Sequence, residues 1–306
     1  LIINKTGLAG NDLYVSGFTW SPTYLVAAGT PILFESGYSC MGRLYEKDIK
    51  KVLSNKVPEF LFLTHVHYDH CGSAAYFKKR FPNMKICASQ RAHEIIQRGN
   101  AVSLMSSLSK YVIPLIAELP EIQNKELITG PFEPFDIDIV LKEEQTISID
   151  EGLSVRVFAT PGHTRDMLSY YIPEKKILIA TESAGCLGRD GHIVSEFLVD
   201  YDAYIRTLKR FSSLDVEMFC QGHHFVFTGK DVEAFFTDSL RAAESFKKHV
   251  DELLTREGGT IDTVVDIIKT EEYDSNHGIK QPERAYLLNL KTQVTHLAAK
   301  LYGQSK

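Results

Sequence analysis

The chain has 306 residues, 44% of them hydrophobic, a formal net charge of -5 at pH 7 and an isoelectric point near 6.1. That is enough apolar material for one large domain or two, and the acidic balance excludes a broad basic surface, so nucleic acid is not an expected partner. No run reaches the ~18 apolar residues of a spanning helix and residues 1–10 lack a signal-peptide pattern, while five scattered cysteines without a CxxC read as reduced thiols, so a cytoplasmic protein with no membrane partner is expected.

Three short strand-like runs, at residues 12–15, 23–27 and 31–35, are separated by turn residues such as Gly17 and Gly29 and read as an antiparallel meander. Trp20, between the first two, reads as a hydrophobic plug. Residues 44–53 fit a helix, and Phe60-Leu61-Phe62-Leu63 a short buried strand. That strand runs into Thr64-His65-Val66-His67-Tyr68-Asp69-His70-Cys71-Gly72, where three of the chain's 11 histidines and a carboxylate fall within six residues. Neutral imidazole with carboxylate is the donor set that borderline divalent metals prefer. In extended backbone His65 and His67 point the same way and can share one ion. A tight turn, eased by the backbone freedom of Gly72, can bring Asp69 and His70 to a second. A helix over 73–81, ended by Pro82-Asn83, and a strand over 85–88 complete an α/β signature.

Helical spacing then takes over, at 91–98 and at 103–119, with Leu104, Leu108, Val112, Leu115 and Leu119 on one face and Pro114 placed to kink the second helix. Such an insertion can wall a cleft or cover a sheet. His93 within it reads as a surface or core residue. Residues 145–149 and 153–158 read as a hairpin turning at Asp150-Glu151-Gly152, and its second strand leads into Thr160-Pro161-Gly162-His163-Thr164. The buried run 176–180 ends in Thr181-Glu182-Ser183, and the run 216–220 in Gln221-Gly222-His223-His224. Each strand delivers one metal-binding side chain at its C-terminal end. Four strand ends converging on one edge of a sheet would gather seven ligands around a pair of ions. Cys71 and Cys186, close in sequence to His70 and Glu182, read as small buried side chains rather than ligands or nucleophiles. Beyond His224 the pattern is helical, with apolar stripes through Phe236, Leu240, Phe246, Val250 and Leu253 and through Leu287, Leu290, Val294, Leu297 and Leu301. These stripes pack over the body or form a homodimer seam. His277 and His296 read as solvated polar positions.

The His-Val-His-Tyr-Asp-His cluster, the Pro161-Gly162-His163 loop, the acidic Glu182 and the closing Gly222-His223 resemble the metallo-β-lactamase-fold hydrolase superfamily over roughly residues 10–230. The Tyr68-Asp69-His70-Cys71-Gly72 wording, the helical insertion and the helical C-terminal region are similar to its PqsE-type and glyoxalase II-like thioesterase branches. The resemblance implies an α/β fold, a four-layer αβ/βα sandwich. Residues 1–230 would be the metal-dependent hydrolase domain, with the insertion at about 90–128, and 231–306 a helical region packed on the body. It implies His65, His67 and His163 as ligands of a first metal and Asp69, His70 and His223 as ligands of a second. Glu182 falls where the family carries a bridging aspartate, one methylene shorter. His223 takes the last ligand position and His224 lines the cleft or stands behind it. The cofactors implied are two divalent ions, zinc foremost, with iron or manganese as alternatives. The chemistry implied is hydrolysis by a metal-bridging hydroxide, with Asp69 both a ligand and the catalytic carrier of a proton. Thr64, Thr164 and Ser183 are candidates to hydrogen-bond the ligands. The expected small-molecule substrate is an acyl thioester. Alternatives are a phosphodiester or lactone at the same ions, or a regulatory protein that retains the metal site.

Overall fold

In the computed structural model, which describes residues 1–119, 122, 127–276 and 281–303, the chain opens with β1 (Ile2–Ile3) and a meander of β2 (Gly7–Gly10), β3 (Leu13–Phe18), β4 (Ser21–Val26) and β5 (Ile32–Phe34). Helix α1 (Gly42–Leu53), strand β6 (Phe60–Phe62), helix α2 (Ala74–Arg80) and strand β7 (Lys85–Ser89) follow. The insertion holds α3 (Gln90–Ile96) and α4 (Gly99–Ala117), the latter running on through Pro114. The expected remainder of the insertion at 120, 121 and 123–126, and His277, lie outside the described residues. The second half begins with β8 (Ile139–Leu141), β9 (Thr146–Asp150), β10 (Leu153–Ala159), β11 (Leu168–Ile172) and β12 (Ile177–Ile179). A two-stranded ribbon of β13 (Cys186–Leu187) and β14 (Ile193–Val194), helix α5 (Tyr201–Phe211), and strands β15 (Met218–Cys220) and β16 (Val226–Thr228) come next. The tail is α6 (Lys230–Arg256), α7 (Ile261–Ile268), a π-helical turn (Lys269–Asp274) and α8 (Glu283–Leu301).

Two seven-stranded sheets pack face to face, in the orders β2-β3-β4-β5-β6-β7-β8 and β1-β16-β15-β12-β11-β10-β9. In the first, β2 to β5 are antiparallel and β5 to β8 parallel; in the second, only β12 and β15 run parallel. The short central strands are apolar throughout because both of their faces are buried. Alternation divides them: Phe34, Phe62, Ile177 and Ile179 fill the space between the sheets, while Leu33 and Leu61 face α1 and α2 and Leu178 faces α5 and α6. Helix, sheet, sheet, helix is the four-layer α/β sandwich. The stripe on α8 is buried at Leu290, Val294 and Leu297 within the core shared with α6 and α7, so it covers the chain's own body. His296 is likewise engaged: its Nε2 accepts the N–H of Tyr201 at the start of α5, 3.1 Å away, instead of standing in solvent.

The strand ends carrying the metal-binding side chains do not share one sheet, as the sequence pattern suggested. β6 belongs to the first sheet and β10, β12 and β15 to the second, so the residues meet at the edge where the two sheets abut. No helix among the described residues is long and apolar enough to cross a membrane.

Candidate metal centre

After β6 the chain folds into a turn in which the N–H groups of His70 and Cys71 both donate to the carbonyl of His67, 3.0 Å away. This turn brings Asp69 and His70 round to the side of His65 and His67. Gly72 serves it by its size: a Cβ there would lie 2.4 Å from the Ser39 nitrogen and 2.6 Å from the Gly37 carbonyl oxygen. No positive φ is involved, contrary to the role its sequence position suggested. His163 comes from the loop after β10, Glu182 from the 3-10 turn Thr181–Ala184 after β12, and His223 from the loop after β15.

The structure brings all seven together as two clusters. In one, ligand atoms of His65, His67 and His163 lie within 4.8 Å of one another; in the other, those of Asp69, His70 and His223 do. Glu182 stands between them. Its Oε1 is 3.1 Å from Nε2 of both His70 and His223, and its Oε2 faces Nε2 of His65 at 3.8 Å. The longer glutamate therefore reaches both clusters, one oxygen to each. It has room because residue 222 is glycine: a Cβ there would sit 1.7 Å from Glu182 Oε1.

The imidazoles are oriented from behind. Nδ1 of His70 donates to Oε2 of Glu35 at 2.8 Å, Nδ1 of His163 to the Glu196 carbonyl at 2.6 Å, and Nδ1 of His223 to the Trp20 carbonyl. Nδ1 of His65 lies 3.0 Å from the Thr64 hydroxyl. Carbonyl and carboxylate oxygens can only accept, so Nδ1 of His70, His163 and His223 carries a proton and Nε2 is the atom turned toward the cluster, whereas His67 turns its Nδ1 inward, 3.2 Å from Nε2 of His163. Of the three candidate hydroxyls, Thr64 is the one bonded to a cluster ring; Ser183 bonds Thr160 and Ser169, and the Thr164 oxygen is buried without a partner. Glu35, which the sequence reading passed over, is buried at the end of β5, and its other oxygen accepts the Thr64 N–H at 2.7 Å. Both oxygens are engaged, so Glu35 braces His70 and stands behind the cluster. Glu35, Thr181 and His224 all hold positive φ, a strain that clusters around the site.

Burial and mutual proximity shape the charges. Burial pulls His65 well below the ordinary histidine range, and burial with the neighbouring His67 takes His163 down to about 3. Burial opposes protonation of His223 too, but Glu182 and Asp69 carry it up to about 8. Glu182 is held ionised against its own burial by His70 and His223. Burial, with Glu182 nearby, raises the Glu196 carboxyl to about 8.

Whether the residues fit metal ions is answered by what they leave unpaired. Nε2 of His65, Nε2 of His70 and both oxygens of Glu182 are buried without a hydrogen-bond partner, and four such atoms facing one another are rare in a native interior unless something binds them. Nitrogen and carboxylate donors at this spacing suit divalent cations. His224 belongs to neither cluster; burial and the adjacent His223 take it to about 3, and it lines the cleft. All five cysteines are buried and none joins a cluster.

Above the clusters lies a cleft of about 260 Å3. Trp20, Tyr38 and Tyr68 form one wall, Leu104 and Leu108 of α4 another, and the ribbon and the start of α8 close the far side. The insertion thus both covers the sheet, through Val112 and Ile116, and walls the cleft. Trp20 does both: it packs against the core, its ring stacked 6.3 Å from that of Phe18, and its turn between β3 and β4 reaches over to His223, so it also joins that wall.

A four-layer sandwich with paired histidine and carboxylate clusters at the edge between its sheets defines a metal-binding hydrolase fold, and the comparisons agree. The model of the metallo-beta-lactamase superfamily matches residues 21–223, and the chain belongs to that superfamily, whose members are generally hydrolases. It is 29% identical over 143 residues to "Glyoxylase B2" of Dictyostelium discoideum, covering 45% of this chain and 41% of that protein. It is 36% identical over 81 residues to "Hydroxyacylglutathione hydrolase" of Bartonella tribocorum, covering 25% and 31% respectively, so the matches span less than half of either relative. Among solved structures, a metallo-beta-lactamase superfamily protein of Sulfolobus tokodaii superposes with a TM-score of 0.59 at 15% identity over 93% of this chain and 97% of its own. A metallo-beta-lactamase family protein from Thermus thermophilus gives 0.60 at 16% identity over 97% and 95%. These establish the shared fold.

Proposed function

We propose that the protein hydrolyses acyl thioesters at a pair of divalent cations. The observation that carries this reading is the floor of the cleft, where two three-residue clusters share Glu182 and leave four buried atoms without partners. His65, His67 and His163 would hold one cation, Asp69, His70 and His223 the other, and Glu182 would touch both. When bound, such a pair lowers the pKa of water toward neutrality and polarises an acyl carbonyl. The chain's own residues do the rest. Asp69, more exposed than the other cluster carboxylate, would use one oxygen toward the second cation and the other to orient the attacking water and carry its proton to the leaving thiolate. The aromatic and leucine walls exclude bulk water and hold the apolar part of a substrate. Similarity to a hydroxyacylglutathione hydrolase, whose named substrate is a thioester, supports this class of electrophile.

The test is turnover of a panel of acyl thioesters by protein loaded with zinc, iron or manganese. Release of thiol well above that of a His65→Ala/Asp69→Ala double variant is expected. Hydrolysis of phosphodiesters or lactones alone would overturn the thioester assignment.

A further inference from the structure

Beside the cleft lies a second cavity of about 260 Å3, enclosed between the ribbon, α6 and α8. Its lining is mixed: Ile193, Val194, Ala242, Phe246, Tyr286 and Leu290 supply the apolar part, and polar residues that include the carboxylates Glu196 and Glu272 supply the rest. Among the described residues no lysine or arginine lines it, whereas Arg189 stands in the cleft. The two cavities share a wall that includes Glu196, Glu272 and Tyr286, whose side chains line both. That wall is next to the reacting centre, because Glu196 Oε2 is 3.7 Å from Nδ1 of His163. Tyr286 is unusual there. Its hydroxyl is buried without a hydrogen-bond partner, and its ring packs 4.5 Å from Tyr273 of the π-helical turn, a backbone form frequent at functional sites.

We propose that this second cavity is the binding chamber for the acyl arm of the substrate, an aliphatic chain, and that the thiol-bearing arm leaves along the cleft past Arg189. The proposal rests on the thioester reading and gives it a substrate class. An arm that enters beside His163 must be joined within a few bonds to the carbonyl under attack, which is true of the acyl group. A chamber that presents two carboxylates and no lysine or arginine rejects a phosphorylated or carboxylated carrier, and its apolar stretches accept methylenes. The Tyr286 hydroxyl, on the shared wall, is free to donate to an oxygen of the bound acyl group.

The test uses the metal-loaded protein and the reaction's carboxylate products, from butanoate to dodecanoate, titrated while following the fluorescence of Trp20, the chain's single tryptophan and part of the cleft wall. The expected result is a dissociation constant that falls about threefold to fourfold per added methylene and levels off once the chamber is full. Ala242→Phe, which fills the chamber from α6, should abolish the dependence on length while leaving butanoate binding and metal content unchanged. Phe246→Ala, which enlarges the chamber, should move the plateau to longer chains and serves if Ala242→Phe does not fold. Affinity independent of chain length, no binding of any member, or a length dependence untouched by both variants overturns the proposal. The titration reads binding and not turnover. Length-dependent binding without thioester hydrolysis would keep the chamber and remove the reaction; hydrolysis without length dependence would do the reverse.

Discussion

Glutamate at 182 and glycine at 222 are one choice made at two positions. The extra methylene of Glu182 carries Oε1 into the space that any side chain on residue 222 would occupy, 1.7 Å from a Cβ built there. Gly222→Ala is therefore expected to displace the carboxylate and lower metal affinity by about 10–100-fold, read as metal content after dialysis. Adding Glu182→Asp, which withdraws the carboxylate by one methylene, should restore most of it. A double variant no better than the single one would show that the coupling is not steric. The seven cluster residues were legible in the sequence because four of them crowd into one hexapeptide and the others each follow a short apolar strand. Glu35 follows such a strand as well, and its Glu35-Ser36 pair repeats Glu182-Ser183. That shared pattern was the available signal; a lone carboxylate facing the back of a ring leaves no other trace in sequence. Gly222 enters the sequence pattern only as the neighbour of His223, because a steric cradle depends on which side chain crosses above it.

Among the elements, α1 and α2 are joined through Glu46. This carboxylate, 7% exposed, accepts from Arg80 Nε at 2.8 Å and from Tyr76, and pairs with Lys50 at 2.6 Å. Its burial opposes ionisation, but Lys50, Tyr76 and Arg80 together hold it below the ordinary carboxylate range. A folded pKa below the unfolded one gives stability that is present above the unfolded value, ~4.3, and is lost as pH falls through the folded value. Glu46→Gln should cost about 1 kcal/mol at pH 7, the cations being half exposed, and the difference from the parent in urea unfolding should shrink toward about pH 3. Helices such as α1, α4, α6 and α8 were legible from their apolar period, and the strands beside the motifs from their runs of buried residues. α5, with Tyr201, Tyr204, Leu208 and Phe211 on its buried face, was within reach of the same reasoning. β1, β2 and the ribbon were not, being two to four residues long and defined by their partners. Which sheet each ligand-bearing strand joins was equally out of reach, because pairing between distant strands is set by the packing of the whole and leaves no local pattern.

For the molecule as a whole, both clusters draw residues from the two sheets. His65, His67, Asp69 and His70 follow a strand of the first sheet, and His163, Glu182 and His223 follow strands of the second. Binding to the folded state alone adds stability as RT ln(1 + [L]/Kd), about 2.7 kcal/mol per site at a hundredfold excess over Kd. Removing metal with a chelator is thus expected to lower the melting temperature by several degrees, and restoring zinc to recover it in a concentration-dependent way. An unchanged melting temperature with metal loss verified would contradict this. The arrangement also bears on fragments. The first half brings two donors to each cluster and the second brings one, plus the carboxylate they share, so neither half alone completes either cluster. Were the polypeptide cut between β8 and β9, each piece would carry both clusters unfinished, and a gain in metal uptake on mixing would report that the halves had found each other.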